Sequence, residues 1–173
     1  VTVNLTANGT AVEGKSVTLP VDGSWSYTWT DLPKYDASKN LINYSVSEVE
    51  VDGYESAKTG NAETGYVLTN TKLTDITVTK EWVDGNATDR PEVTVNLTAN
   101  GSAVEGKSVT LPVDGSWSYT WTDLPKYDAD KNAISYDVNE VEVEGFESDV
   151  TGDAVNGFVI TNTELTDITV TKK

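Results

Sequence analysis

Three polar side chains that can react with one another, Lys80, Glu140 and Asn162, each continue the apolar face of a predicted strand. Alternate side chains of a strand point to the same face, so each of the three is expected to point inward with its apolar neighbours. Those neighbours are Ile76, Val78 and Trp82 for the lysine, Tyr136 and Val138 for the glutamate, and Phe158 and Ile160 for the asparagine. Because burial of one unpaired polar group costs several kcal/mol, the pattern favours a site in which the three groups meet.

Such a trio can carry out one specific reaction. Burial disfavours the charged form of a lysine, and the neutral amine of Lys80 is then a nucleophile. The carboxamide of Asn162 offers an electrophilic carbon. A buried Glu140 in its acid form can donate a hydrogen bond to the carboxamide oxygen and carry a proton to the departing ammonia. The product is a Lys–Asn isopeptide bond, which the folded chain forms once on itself.

A second interpretation of the same pattern needs no reaction. Each polar residue can lie at a strand end where the face is already solvated, or a β-bulge can reverse the alternation. Val141 and Val143 follow Glu140 on the opposite face, so the alternation does change in that segment. For Glu50 and Glu142 we favour this solvated interpretation.

The elements that position these residues are predicted to be strands. Alternation of period 2 marks strands at about 75–83, 92–99, 107–112, 117–124, 134–143 and 157–164, with a short one at 146–151. Asn100-Gly101 and Asp114-Gly115 are typical of hairpin turns, and no segment has an apolar stripe of helical period. Six or seven short strands in about 90 residues predict an all-β fold of tandem, antiparallel immunoglobulin-like β-sandwiches, with a small barrel as the alternative.

The chain also repeats itself. Residues 1–80 align without gaps onto residues 93–172, and 64 of the 80 positions are identical. The offset of 92 residues is the size of one small domain, so the chain is a tandem array. We predict a domain lacking its first strand at 1–73, a complete domain at 74–165, and the first strand of a following domain at 166–173. The short connection between the units predicts a stiff rod.

The composition excludes several functions. The formal charge is −16, from 28 acidic and 12 basic residues, and the chain contains neither Cys nor His. Disulfides, thiol chemistry, the usual zinc sites and a Ser-His-Asp triad are therefore excluded, and we expect no cofactor and no metal. Phosphate backbones and anionic lipid heads would repel so acidic a chain, so we expect neither nucleic acid nor a membrane as a partner.

Four motifs occur in order along the unit: VTKEW at 78–82, DLPKYD at 123–128, YDVNE at 136–140 and ITNT at 160–163. Together they resemble the collagen-adhesin B-type (Cna-B-like) repeat found in Gram-positive surface proteins and pilins. The resemblance implies an inverse immunoglobulin-like sandwich in which Lys80 on the first strand is joined to Asn162 on the last, with Glu140 as the catalyst. It also implies an extracellular location at the bacterial cell wall and a stalk role in an adhesin whose other domains bind a host ligand. Because the self-reaction consumes its lysine, we do not expect an enzyme that turns over.

The first unit has two of the three reactive residues. Glu48 and Asn70 stand at the positions of the glutamate and the asparagine, whereas the matching lysine would lie before Val1. An unfilled strand position with an open sheet edge is therefore expected in this unit. Either residues upstream of Val1 supply the strand, or the segment 168–172 of a neighbouring molecule does so. In the second case Lys172 would be cross-linked to Asn70, with Glu48 as the catalyst, and head-to-tail fibres would form.

An alternative function is that the repeats themselves bind a host protein or glycan. The candidate residues are alternating aromatic side chains: Trp117, Tyr119 and Trp121, and in the first unit Trp25, Tyr27 and Trp29. Such rings can form a platform for sugar stacking. They share one face of a predicted strand, however, so packing into the core is the favoured interpretation.

Overall fold

A computed structural model describes residues 1–85 and 87–172. In these residues the chain forms eleven strands: β1 (Thr2–Ala7), β2 (Thr10–Thr18), β3 (Tyr44–Glu48), β4 (Tyr54–Asn61), β5 (Gly65–Val83), β6 (Val93–Ala99), β7 (Ser102–Leu111), β8 (Ser118–Pro125), β9 (Tyr136–Glu140), β10 (Phe146–Asp153) and β11 (Gly157–Glu164). No helix in the described ranges is long and apolar enough to cross a membrane. The chain divides into two compact units, Val1–Lys72 (unit 1) and Leu73–Lys173 (unit 2), and β5 contributes residues to both.

Unit 2 is a sandwich of two sheets. One sheet has the strand order β7-β6-β9, and the other contains β10, β11, β5 and β8. The predicted all-β fold of tandem immunoglobulin-like sandwiches is confirmed. One pairing differs from the prediction, because β5 and β11, the first and last strands of the unit, run parallel. A hairpin cannot join two parallel strands, so β6 to β10 form the long connection between them.

The core of unit 2 lies between these two sheets. Its residues follow the period of 2 except in β8, where the buried Trp121 and Leu124 are separated by a register shift in the pairing with β5. Its buried residues from β5, β8 and β11 are Ile76, Val78, Trp121, Leu124, Phe158 and Ile160. The opposite sheet contributes Val93, Val95, Leu97, Leu111, Tyr136 and Val138. Burial of each large aliphatic side chain contributes about 1.5–3 kcal/mol, so the two inner faces hold the strands, and the polar residues on them, in register.

The strand boundaries differ from the predicted ones at several places. β7 begins at Ser102 rather than near residue 107, because its pairing with β6 continues across a register shift. β9 ends at Glu140, so Val141 and Val143 do not continue that strand. This end point accounts for the change of alternation seen in the sequence. The short strand predicted at 146–151 is a full strand, β10.

Unit 1 keeps only part of this sandwich. Its strands form the sheet β2-β1-β3 and a hairpin of β4 with the first part of β5. Residues 26–33, which align with β8, form no strand. In unit 2, β8 pairs with residues 73–79 of β5. The described residues of unit 1 contain no strand at the corresponding position, so segment 26–33 has no neighbouring strand there with which to exchange hydrogen bonds.

A groove of about 720 Å³ opens in unit 1. Its lining combines apolar side chains of β1, β3 and β5, namely Val3, Leu5, Val46, Tyr66 and Leu68, with Glu48 and Asn70. In unit 2 the residues aligned with this apolar lining pack around Ile76 and Val78 of β5. The groove in unit 1 therefore corresponds to the space that the first part of β5, with Ile76 and Val78, occupies in unit 2.

The first strand of a following domain is predicted at 166–173. The described part of this segment, 166–172, forms no strand, and Lys173 lies outside the described residues. Ile168 and Val170 are 93% and 92% exposed. The sequence at 168–172 is identical to that at 76–80, which is a strand in unit 2. The backbone groups of a β-strand form hydrogen bonds with a neighbouring strand. The two identical segments therefore differ in conformation because only the first has such a neighbour among the described residues, and not because of their local sequence.

The β10–β11 hairpin, which carries Asn162, depends on Gly152. Its φ is +93°, which favours glycine, and an added Cβ would overlap the carbonyl oxygen of Gly157. We expect Gly152→Ala to lower the free energy of unfolding by roughly 2–4 kcal/mol, because the backbone must shift. Gly115→Ala is the matched control, since Gly115 has a φ of +81° but open space around its Cβ position. It should cost only about 1 kcal/mol in urea unfolding, and equal losses would contradict the steric argument.

Candidate cross-linking site

Three strands of unit 2 supply the residues of this site. Lys80 lies on β5 and Asn162 on β11, the parallel pair, in which Ile160 is the register partner of Lys80. Glu140 is the last residue of β9, in the opposite sheet. The three side chains therefore enter the interior of the sandwich from both of its sheets.

Glu140 contacts both of the other residues. Its Oε2 lies 3.6 Å from Nζ of Lys80, and its Oε1 accepts a hydrogen bond of 2.6 Å from Nδ2 of Asn162. The side chains of Lys80 and Glu140 are 0% and 2% exposed, and Asn162 is fully buried. The structure thus brings together, in one buried site, the three residues that alternation selects.

The amine of Lys80 has further neighbours. Nζ donates hydrogen bonds to the carbonyl oxygens of Glu81 at 2.9 Å and Ile160 at 3.3 Å, and it lies 4.4 Å from the centre of the Trp82 ring. Burial lowers the pKa of Lys80, and the charge of Glu140 opposes this effect. The net result is a lowered pKa, which increases the fraction of the neutral, nucleophilic amine.

The Asn162 amide is oriented differently from the sequence-based expectation. Its nitrogen, rather than its oxygen, faces Glu140, and Oδ1 is buried without a hydrogen-bond partner among the described residues. An ionised Glu140 accepts from the nitrogen, whereas a protonated Glu140 would donate to the oxygen after a half-turn of the amide. The buried oxygen is thus open to a proton donor, which is what polarisation of the carboxamide carbon requires.

The lowered pKa of Lys80 predicts a pH dependence of stability in the variant Asn162→Ala, in which the lysine has no carboxamide beside it. The unfolded chain, with a lysine pKa near 10.5, binds more protons than the folded chain at pH values between the two pKa values. Stability therefore rises with pH through that window and is lowest below the folded pKa. We expect the free energy of unfolding in urea to increase from neutral pH toward about pH 10 in this variant. Lys80→Met, which has no titrating group at this position, is the control, and equal slopes for the two variants would contradict the prediction.

Unit 1 contains the same glutamate–asparagine pair without a lysine. Nδ2 of Asn70 donates a hydrogen bond of 2.8 Å to Oε1 of Glu48, and Oδ1 of Asn70 is buried without a hydrogen-bond partner in the described part of the chain. The other oxygen of Glu48 accepts a hydrogen bond from the hydroxyl of Ser56. In unit 2 the corresponding glutamate oxygen faces Lys80. Lys172, proposed from the sequence as a reaction partner for Asn70, lies in the exposed segment after β11.

The alternating aromatic residues pack into the core of unit 2. Trp121 is buried, and the Trp117 ring meets the Trp82 ring edge to face at a centroid separation of 5.4 Å. Tyr119 is half-buried against the same core. These rings do not form the open surface that a sugar platform requires, although the counterpart of Trp117 in unit 1, Trp25, is 68% exposed.

Sequence reasoning did not identify one polar pair beside the site, Asp84 and Arg90. Two nitrogens of the Arg90 guanidinium donate to the two carboxylate oxygens of Asp84. The available signal was that the only arginine of the chain follows Lys80 by ten residues. No group of three or more acidic side chains in the described ranges is arranged to hold a metal ion.

Comparison with known proteins identifies the family of the chain. The family model described as the Cna protein B-type domain matches residues 1–71 and 76–163. A collagen adhesin of Staphylococcus aureus is 38% identical over 177 aligned residues, which cover 95% of this chain and 14% of that protein.

Two solved structures from the S. aureus collagen-binding protein are also similar. A single B repeat unit is 34% identical with a TM-score of 0.48, covering 95% of this chain and 86% of that chain. A two-repeat structure is 35% identical with a TM-score of 0.49, covering 95% of this chain and 43% of that chain. Since the family model spans both units, including the strands that carry Lys80, Glu140 and Asn162, the chain belongs to the Cna protein B-type domain family.

Proposed function

We propose that unit 2 is a structural spacer module closed by an isopeptide bond between Lys80 and Asn162, formed with Glu140 as the catalyst. The observation that carries the proposal is the position of the Glu140 carboxylate. One of its oxygens lies 3.6 Å from the amine of Lys80, and the other lies 2.6 Å from the amide nitrogen of Asn162. Burial of all three side chains keeps water from competing for these groups.

The reaction is a transamidation in which atoms and protons balance. The neutral Nζ of Lys80 attacks Cγ of Asn162, so that an Nζ–Cγ bond forms and the Cγ–Nδ2 bond breaks. Glu140 takes a proton from Nζ and passes one to Nδ2, which leaves as ammonia. Glu140 ends in the protonation state in which it began, whereas Lys80 is consumed. Each molecule therefore reacts once, without a cofactor, and does not act as an enzyme on other substrates.

The role of such a module is that of a stalk outside the bacterial cell, between the cell wall and ligand-binding domains of a longer adhesin. Membership of the B-type family and similarity to a collagen adhesin support this role. Because the chain spans only 14% of that adhesin, its partners in the stalk are the neighbouring repeats, and a host ligand would bind to other domains. The two units are nearly identical in sequence, as expected for a spacer whose total length is determined by the number of copies of one module.

The intact mass of the purified chain tests the proposal. We expect a mass lower by one ammonia than the sequence requires, and the full mass for both Lys80→Ala and Glu140→Gln. Glu48→Gln is the matched control, because it makes the same change at the corresponding glutamate of unit 1, where no lysine faces the carboxylate. A full mass for the correctly folded, unaltered chain would refute the bond.

We further propose that the groove of unit 1 takes up a strand with the sequence of residues 76–80. The apolar lining of the groove and the presence of Glu48 and Asn70 in it support this proposal. The strand can come from residues upstream of Val1 in a longer chain or from residues 168–172 of a second molecule. In the latter case Lys172 would be joined to Asn70, and molecules would link head to tail into open fibres.

Denaturing electrophoresis of the 173-residue chain distinguishes the two sources. Donation between molecules predicts a ladder of covalent oligomers that grows with protein concentration. Lys172→Arg and Glu48→Gln should abolish the ladder, whereas Glu140→Gln should leave it in place. A single monomer band at every concentration would rule out the covalent link between molecules.

A further inference from the structure

Trp82 covers the amine of Lys80 and is itself held by aromatic packing. The Lys80 nitrogen lies 4.4 Å from the centre of its ring. The rings of Trp117 and Phe146 meet it edge to face, with centroid separations of 5.4 and 5.0 Å. Its Nε1 is buried and has no hydrogen-bond partner among the described residues. The position of the Trp82 ring therefore depends on packing rather than on a hydrogen bond.

A further contact to this ring comes from Arg90, which follows β5. The guanidinium carbon of Arg90 lies 6.0 Å from the centre of the Trp82 ring. Its Nε and Nη2 donate to the two oxygens of Asp84 at 2.6 and 3.0 Å, and the Asp84 side chain is 2% exposed. A bidentate arginine–carboxylate pair has a fixed planar geometry, so Asp84 holds the guanidinium in place over the ring.

We propose that Asp84 and Arg90 are positioning residues for formation of the Lys80–Asn162 bond and act on Lys80 through Trp82. This inference rests on the proposed function of the site. The reaction requires Nζ to stay within reach of the Asn162 carboxamide, and a lysine side chain has four rotatable bonds along which it can leave. Trp82, fixed from one side by Arg90, confines the amine to the reactive position.

Arg90 also acts on Lys80 through its charge. The charged groups that act on the amine are Glu140 from β9, Arg90 from the segment after β5, and Glu81 on β5 itself. From β11 the site receives the uncharged Asn162. The two carboxylates favour the ammonium form of Lys80, and the guanidinium disfavours it. Removal of the Arg90 charge should therefore raise the pKa of Lys80 and displace the reaction to higher pH.

The test is the rate at which the full 173-residue chain loses one ammonia after cell-free synthesis. Intact mass is followed over time at values from about pH 5 to about pH 9. Because Arg90→Gln alone would leave the buried Asp84 carboxylate without the guanidinium, the main variant combines Asp84→Asn with Arg90→Gln. Arg90→Lys keeps the charge but removes the planar fork. Lys126→Gln, which removes an exposed cation of the same unit, is the control.

We expect the double variant to react on the order of tenfold more slowly at neutral pH, with its rise in rate displaced to higher pH. Arg90→Lys should be slower by a few fold, without a displacement. Lys126→Gln should react like the unaltered chain.

Two results would overturn the inference. In the first, the double variant is slowed equally at every pH, as a merely structural role predicts. In the second, both variants react at the rate of the unaltered chain, in which case the inference alone fails. If the unaltered chain itself keeps its full mass, the proposed Lys80–Asn162 bond does not form, and both the proposed function and this inference are refuted.

Discussion

Pulled from its two ends in a single-molecule force experiment, the chain is expected to release no length from the residues between Lys80 and Asn162. Load enters unit 2 along β5 and leaves along β11, which are the two strands that the proposed bond would join. Strands β6 to β10 then lie outside the load path. An unlinked unit would instead extend by the length of about 80 residues, roughly 270 Å.

The variant Glu140→Gln supplies the unlinked state for this experiment. It should show the full extension, because Lys80 and Asn162 remain present but do not react. Glu48→Gln is the matched control and should behave like the unaltered chain in the extension of unit 2. If the unaltered chain and Glu140→Gln release the same length, then no covalent bond carries the load.

The second large effect is expected on thermodynamic stability. Lys80→Met replaces the amine with an apolar side chain of similar length and would prevent the proposed cross-link. In the chain-entropy account of disulfides, a link that closes a loop of about 80 residues stabilises a domain by roughly 4–5 kcal/mol. We expect a loss of this size in the free energy of unfolding of unit 2, with an additional contribution from the altered surroundings of Glu140.

Urea unfolding followed by tryptophan fluorescence measures this loss. Lys58→Met is a suitable control, because Lys58 lies on β4 of unit 1 and donates to Ser45 and to the backbone of Val46 instead of facing a glutamate–asparagine pair. Its effect should fall on unit 1 and leave the transition of unit 2 in place. A loss of less than about 1 kcal/mol for Lys80→Met would contradict the presence of a cross-link in the folded chain.

Much of the candidate site could be predicted from the sequence, because the period of 2 is a local property of a strand. Lys80 stands between apolar residues that share its face, and Glu140 and Asn162 each extend such a face. The repeat at an offset of 92 residues could also be recognised from the sequence, by aligning the chain with itself. It allowed unit 1 to be compared with unit 2 position by position. That unit 1 contains Glu48 and Asn70, while the position of the matching lysine falls before Val1, followed directly from this alignment.

Other features became visible only in the tertiary structure. The parallel pairing of β5 with β11 brings Lys80 and Asn162 onto neighbouring strands, although 81 residues separate them in the sequence. The contact of Arg90 with Trp82 and the orientation of the Asn162 amide likewise depend on side chains from distant segments. Local alternation carries no information about which strands are neighbours.

The identical segments 76–80 and 168–172 show most directly which features depend on the sequence and which depend on the tertiary structure. The sequence by itself determines that both have alternating apolar residues and end in a lysine, which makes each capable of filling the same position in a sandwich. Only the tertiary structure decides that the first is a paired strand with a buried Lys80 and that the second is exposed. The physical reason is that a strand is stabilised by hydrogen bonds and packing from its neighbours, so its conformation depends on whether a partner edge is present.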